Sequence, residues 1–298
     1  MIRVTSLLIT VLALLLLTAP VTATPFFFST GNPDGKMATA SRPDTAGKFE
    51  IESADDFVLT GPTSITSATF TGLLTGGATP ANIGEVRVEI YRVFPADSDV
   101  GRTSGPPTFS TTQVPTRVNS PSDVALTDRD TAPSPGNLTF STSDLGAFTA
   151  LNSVSPGGIH PIPGQTTGGS GPVPGEEVEF DVSFTTPFSL PPDHYFFVPQ
   201  VEITSANGEF LWLSAPRPIV PPGTPFPAGF TDLQSWIRDA NLDPDWLRVG
   251  TDIVGGSTPP TFNATFSVTG NSIPEPATWL LLGLGMVSLV GWQRLRNP

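Results

Sequence analysis

Acidic residues stand in close pairs at turn-like positions of the sequence: Asp55-Asp56, Asp97-Ser98-Asp99, Asp128-Arg129-Asp130 and Asp243-Pro244-Asp245. Calcium takes six to eight oxygen ligands, and alternating carboxylates on loops supply them. Asp97, Asp99, Asp128 and Asp130 are therefore the candidate calcium ligands, and calcium is the one candidate cofactor. The competing role for the same acids is to cap turn amides and keep the surface soluble. A second constellation is Trp236, Asp239, Asn241, Asp243 and Trp246. An exposed indole stacks on the C–H face of a sugar ring while neighbouring Asp and Asn bind its hydroxyls, so these five residues form a candidate carbohydrate site. The competing role for the tryptophans is ordinary packing at one end of the fold.

Groups for covalent or acid–base catalysis are scarce. The chain has no cysteine and two histidines, His160 and His194, which removes thiol nucleophiles and leaves few ordinary general bases. Asp44-Thr45-Ala46-Gly47 carries an extra residue relative to the turn of an aspartic protease, and Gly168-Gly169-Ser170-Gly171-Pro172 lacks the spacing of a nucleophile elbow. A glycosidase needs only two carboxylates about 5–10 Å apart, and no pair stands out for that task. The expectation is a protein that is not an enzyme. The alternatives are a secreted hydrolase acting on polysaccharide or a calcium-dependent carbohydrate-binding module. A formal charge of -13 repels phosphate backbones and speaks against nucleic acid as a partner.

The elements that must position these residues read as strands. Among 298 residues there are 34 Pro and 29 Gly, which leaves little room for long helices. Between 24 and 272 the chain repeats short stretches of alternating apolar and polar residues, each ended by Gly, Pro, Asn or Asp. Val86, Val88 and Ile90 fall on one face of such a stretch, with Arg87, Glu89 and Tyr91 on a face expected to be wet. The stretch 178–184 alternates in the same way, and further strands are expected over 56–59, 64–74, 138–142, 195–203, 210–215 and 262–268. Only 233–242 suggests a short helix or turn. The expected fold is all-β, an antiparallel two-sheet β-sandwich, jelly-roll-like, with long loops over 96–124 and 154–175.

Both ends of the chain read as addresses. Residues 7–17 form an apolar run after Met1-Ile2-Arg3 and before Val21-Thr22-Ala23, the layout of a signal peptide over 1–23 that signal peptidase removes after Ala23. Pro274-Glu275-Pro276 precedes an apolar run over 277–292, with Trp279 and Trp292 near its ends and Arg294 and Arg296 beyond it. As a helix that run is about 24 Å long, a marginal membrane span, and its arginines belong on the cytoplasmic side.

Ile273-Pro274-Glu275-Pro276-Ala277-Thr278-Trp279, the apolar run and the arginines together resemble the PEP-CTERM protein-sorting domain of Gram-negative bacteria. The tail 273–298 carries the resemblance. It implies recognition at Pro274, Glu275 and Pro276 by an exosortase, a transient inner-membrane intermediate held through Trp279, Trp292, Arg294 and Arg296, and delivery to the cell surface or beyond. It also implies association with exopolysaccharide and biofilm in a structural or adhesive role. Ser53-Ala54-Asp55-Asp56-Phe57-Val58-Leu59 is similar to the opening of bacterial surface sandwich domains and bears on fold class alone.

Overall fold

The structure, a computed structural model, describes residues 23–45, 47–101, 117–159, 166–242 and 245–274. The leader 1–22, the expected helix 277–292, and Asp243, Glu275, Pro276, Trp279, Trp292, Arg294 and Arg296 lie outside the described residues.

Fifteen strands follow one another among the described residues: β1 (Pro25–Ser29), β2 (Ala38–Ala40), β3 (Ile51–Leu59), β4 (Thr63–Leu74), β5 (Ile83–Arg92), β6 (Thr127–Asp130), β7 (Leu138–Ala150), β8 (Ser153–Val154), β9 (Val173–Leu190), β10 (Asp193–Ile203), β11 (Phe210–Ala215), β12 (Trp236–Asp239), β13 (Leu247–Arg248), β14 (Asn263–Ala264) and β15 (Phe266–Ser272). They form two sheets. The first runs β1-β15-β4-β11-β2-β8, with β9 also on β4, β7 on β9 and β14 on β11; the second runs β13-β12-β3-β10-β5-β6. Pairing is antiparallel except between β2 and β8. No described helix is long and apolar enough to cross a membrane.

The alternation of the sequence explains how the sheets meet. Phe57 and Leu59 of β3, Val86, Val88 and Ile90 of β5, and Tyr195, Phe197 and Val201 of β10 face Phe70 of β4, Val178, Phe180 and Val182 of β9, Phe210 and Trp212 of β11 and Phe266 of β15 in one apolar interior. Phe70 stacks on Phe180 at 4.8 Å between ring centres, and Phe197 on Phe266 at 5.0 Å. Each such side chain contributes about 1.5–3 kcal/mol through burial, which sets these rings as the main source of cohesion between the layers. Along β4 the inward set changes from Ile65 to Ala68 and Phe70, a change of parity that simple alternation forbids. A bulge at Thr66, where β4 passes Thr269 and Gly270 of β15, supplies the extra residue.

The expected two-sheet sandwich is present, and two local expectations are corrected. Residues 236–239 form β12 rather than a helix: Trp236 pairs with Ala54 and Ile237 with Ser53 on β3, so the large side chains alternate between faces instead of sharing one. The outer face of the second sheet is not wet. Ala54, Tyr91, Phe196, Val198 and Trp236 make a second buried layer beneath Leu233 and Trp246, and Tyr91 is only 3% exposed. That cover places a set of charged side chains in a nearly dry environment.

Candidate functional site

The proposed calcium ligands are not gathered into one set. The Arg92 guanidinium donates two hydrogen bonds to Asp97, at 2.7 Å from Nε and 2.5 Å from Nη2. Asp99 accepts from the Gly101 amide, and its own amide donates to Asp123. Asp128 and Asp130 lie on β6 opposite Glu89 and Arg87 of β5, and Asp130 accepts from the Ala132 amide. Asp97, Asp99 and Asp130 are thus engaged locally, each where its own strand or turn leaves it.

The two tryptophans of the expected carbohydrate site lie inside the fold. Trp236 and Trp246 are 1% and 2% exposed, which leaves neither indole a face for a sugar. Trp246 Nε1 donates to the Ser122 carbonyl at 3.0 Å. Asp239 is buried and caps the turn after β12 by accepting from the amides of Asn241 and Leu242 at 2.8 and 3.2 Å; Asn241 itself is exposed.

The acids that do converge are Glu50, Glu52 and Glu89, which bring one carboxylate oxygen each to within 4.8 Å of one another. Glu52 on β3 and Glu89 and Tyr91 on β5 share the outer face of the second sheet with Gln200 of β10 and Arg238 of β12. Arg238 Nε donates to Glu52, its Nη2 donates to the Tyr91 hydroxyl at 2.9 Å, and its Nη1 donates to the Asp123 carbonyl at 3.0 Å. Its guanidinium lies 4.4 Å from the centre of the Trp246 ring, and the Tyr91 hydroxyl donates to Glu52. Gln200 Nε2 donates to Glu50 at 3.0 Å, and Arg87 Nη1 approaches Glu50 to 3.7 Å. Burial would raise the pKa of Glu52, but the Arg238 guanidinium and its hydrogen bonds overcome it and hold the carboxyl below the usual range. Burial and the Glu52 charge push Glu89 up to about 9, and burial likewise raises Glu50. The strand 86–93 showed the spacing of Glu89 and Tyr91, but no local pattern marked residues 117–126 and Trp246 as their cover.

A second buried group surrounds Asp55 and Asp56, whose adjacency on β3 sends them to opposite faces. Asp55 accepts from Ser235 Oγ at 3.3 Å and from the Ala264 amide at 2.8 Å, tying β3 to β14 of the other sheet. Asp56 accepts from the Leu233 amide at 3.1 Å and lies 2.5 Å from His194 Nε2. Asp232 pairs with Arg217 at 3.3 Å and accepts from Asn263 at 3.1 Å. Beside this group a cleft of about 360 Å³ is lined by Arg217, Asp232, Gln234, Trp236 and Arg248.

Burial raises the pKa of Asp56 well above the ordinary carboxylate range and lowers that of His194 to about 4, so the pair holds one proton. Asp193 and Asp232 oppose the fall at His194, while Asp232 reinforces the rise at Asp56 and Arg217 moderates it. Between about pH 4 and 6.5 the unfolded pair also holds close to one proton, on the histidine, and stability is indifferent to this pair. Above 6.5 the unfolded histidine is empty while the folded pair keeps its proton, so this contribution to stability is lost as pH rises. Thermal unfolding as a function of pH should show a shallower alkaline decline in Asp56→Asn and a new loss of stability on its acid side, where His194 gains a proton in the unfolded chain alone.

No curated protein and no solved structure matches the chain. The resemblance at the C-terminal end is confirmed by a family model: across residues 272–296 the chain carries the PEP-CTERM protein-sorting motif, the mark of an exported protein processed at the membrane by an exosortase.

Proposed function

We propose that the mature chain is a structural or adhesive protein of the cell surface or extracellular matrix, associated with exopolysaccharide and acting without catalysis. The observation that carries this reading is the sorting motif placed directly after β15, the last strand of a two-sheet sandwich. Such a tail delivers a folded domain outward, where its surface becomes its means of contact. The charged groups support the reading. Glu52, Asp55 and Asp56 are held by Arg238, Ser235, Ala264 and His194 in bonds that join strands and sheets, an arrangement suited to durability. For contact with a sugar polymer, the cleft beside β12 offers the amide of Gln234, flanked by the guanidinium groups of Arg217 and Arg248 in their pairs with Asp232 and Asp252.

Fractionation of the native host tests the role apart from the sorting. The surface form should sediment with the host's polysaccharide and pass into solution when that polymer is enzymatically degraded. A surface form that stays soluble in the presence of intact polymer would refute the association while leaving the sorting untouched.

A further inference from the structure

The outer face of the second sheet gathers three carboxylates around one buried amide. Two oxygens bound to one calcium ion at about 2.4 Å are separated by no more than about 4.8 Å, and Glu50, Glu52 and Glu89 meet that limit mutually. An acidic cluster alone is common on proteins. Here a second and independent feature stands beside it: Gln200 is fully buried, and its Oε1 has no hydrogen-bond partner. The hydrogen bond from Gln200 Nε2 to Glu50 at 3.0 Å fixes the amide head against Glu50, which keeps Oε1, bonded to the same carbon, at the edge of the cluster. A buried acceptor without a donor is costly, and a cation satisfies it as a hydrogen bond would.

We propose that Glu50, Glu52, Glu89 and Gln200 Oε1 bind one divalent cation of the calcium class. The ligands are all oxygen, with no histidine and no thiolate, which favours a hard cation over zinc or copper. The Glu50 side chain is 34% exposed and gives the ion a path from solvent, with water completing the shell. Arg87 lies against Glu50 and Arg238 against Glu52, offsetting their charge, so the affinity belongs to the weak range of extracellular sites, about 10⁻⁴–10⁻³ M. The bound ion would link β3, β5 and β10 through side chains on their outer face.

Terbium replaces calcium in oxygen sites and emits when a nearby aromatic ring passes it energy. Tyr91 donates to Glu52, and its ring centre is 5.5 Å from that of Trp246, so this cluster has its own antenna. Titrating the full chain, purified in detergent, with terbium should give sensitised emission that saturates at one equivalent and is displaced by about 1 mM calcium. Glu50→Gln, at a half-buried position that tolerates the change, should weaken the binding at least about tenfold by removing one charged ligand. Asp97→Asn and Asp128→Asn should leave it unchanged. Absence of saturable emission would overturn the proposal, as would emission unaltered by Glu50→Gln or abolished by the Asp97 or Asp128 change.

Discussion

Replacing Glu275 by alanine should leave the chain in the inner membrane as an uncleaved precursor, with little of it at the surface. Glu275 is the one charged side chain of the Ile273-Pro274-Glu275-Pro276 sequence that opens the sorting tail. A protease reading this segment therefore has a single carboxylate to recognise between the two prolines. Charge-assisted hydrogen bonds to a carboxylate contribute about 1.5–3 kcal/mol each, and a buried site left unpaired by the missing group discriminates against it by roughly 10⁴-fold. Glu275→Gln, which keeps the shape and loses the charge, should fall between wild type and Glu275→Ala. Immunoblotting of membrane and surface fractions reads the outcome, and normal surface levels of the alanine variant would sink the sorting account.

The second large effect concerns Arg238. Its guanidinium serves Glu52, Tyr91 and the Asp123 carbonyl while lying over the Trp246 ring, and its side chain is 5% exposed. Truncation to alanine leaves Glu52 charged and unpaired in a dry layer, a loss of about 3–5 kcal/mol, or roughly 10 °C in melting temperature. Desolvation explains why the pair should not be counted as a large net gain. A doubly changed Arg238→Met, Glu52→Gln chain removes both charges and should recover much of the loss. Thermal unfolding of the two variants decides this: equal destabilisation in the single and double variants would show that packing against Trp246, and not the unpaired charge, is what Arg238 supplies.

The β class and the inner faces were legible because period-two alternation survives wherever one side of a strand meets the core. Val86, Val88 and Ile90 pointed inward as their spacing required, and so did Val178, Phe180 and Val182. The outer face of the second sheet was not legible. Polar residues there read as solvent-facing, yet loop segments with no periodicity of their own fold back to cover them, burying Tyr91 and Trp236 together with Glu52. The same cover hid the acidic cluster. Glu50 just before β3 and Glu52 on it meet Glu89 of β5 only because β10 sets those two strands on either side of it, whereas Asp97 and Asp99 stood together in sequence and found separate partners. Short spacing marks turns, and convergence of distant acids depends on strand order, which local sequence does not encode. The tail lay at the opposite extreme: its motif is contiguous, so its order of residues alone carries the recognition.

Intact-mass measurement of the protein recovered from the cell surface and from the inner membrane of its native host tests the sorting account most directly. The account predicts a surface species that begins at Thr24 and ends near Pro276, without Arg294 and Arg296, and a membrane species that still carries both arginines as its precursor. A surface species retaining Arg294 and Arg296 would contradict it.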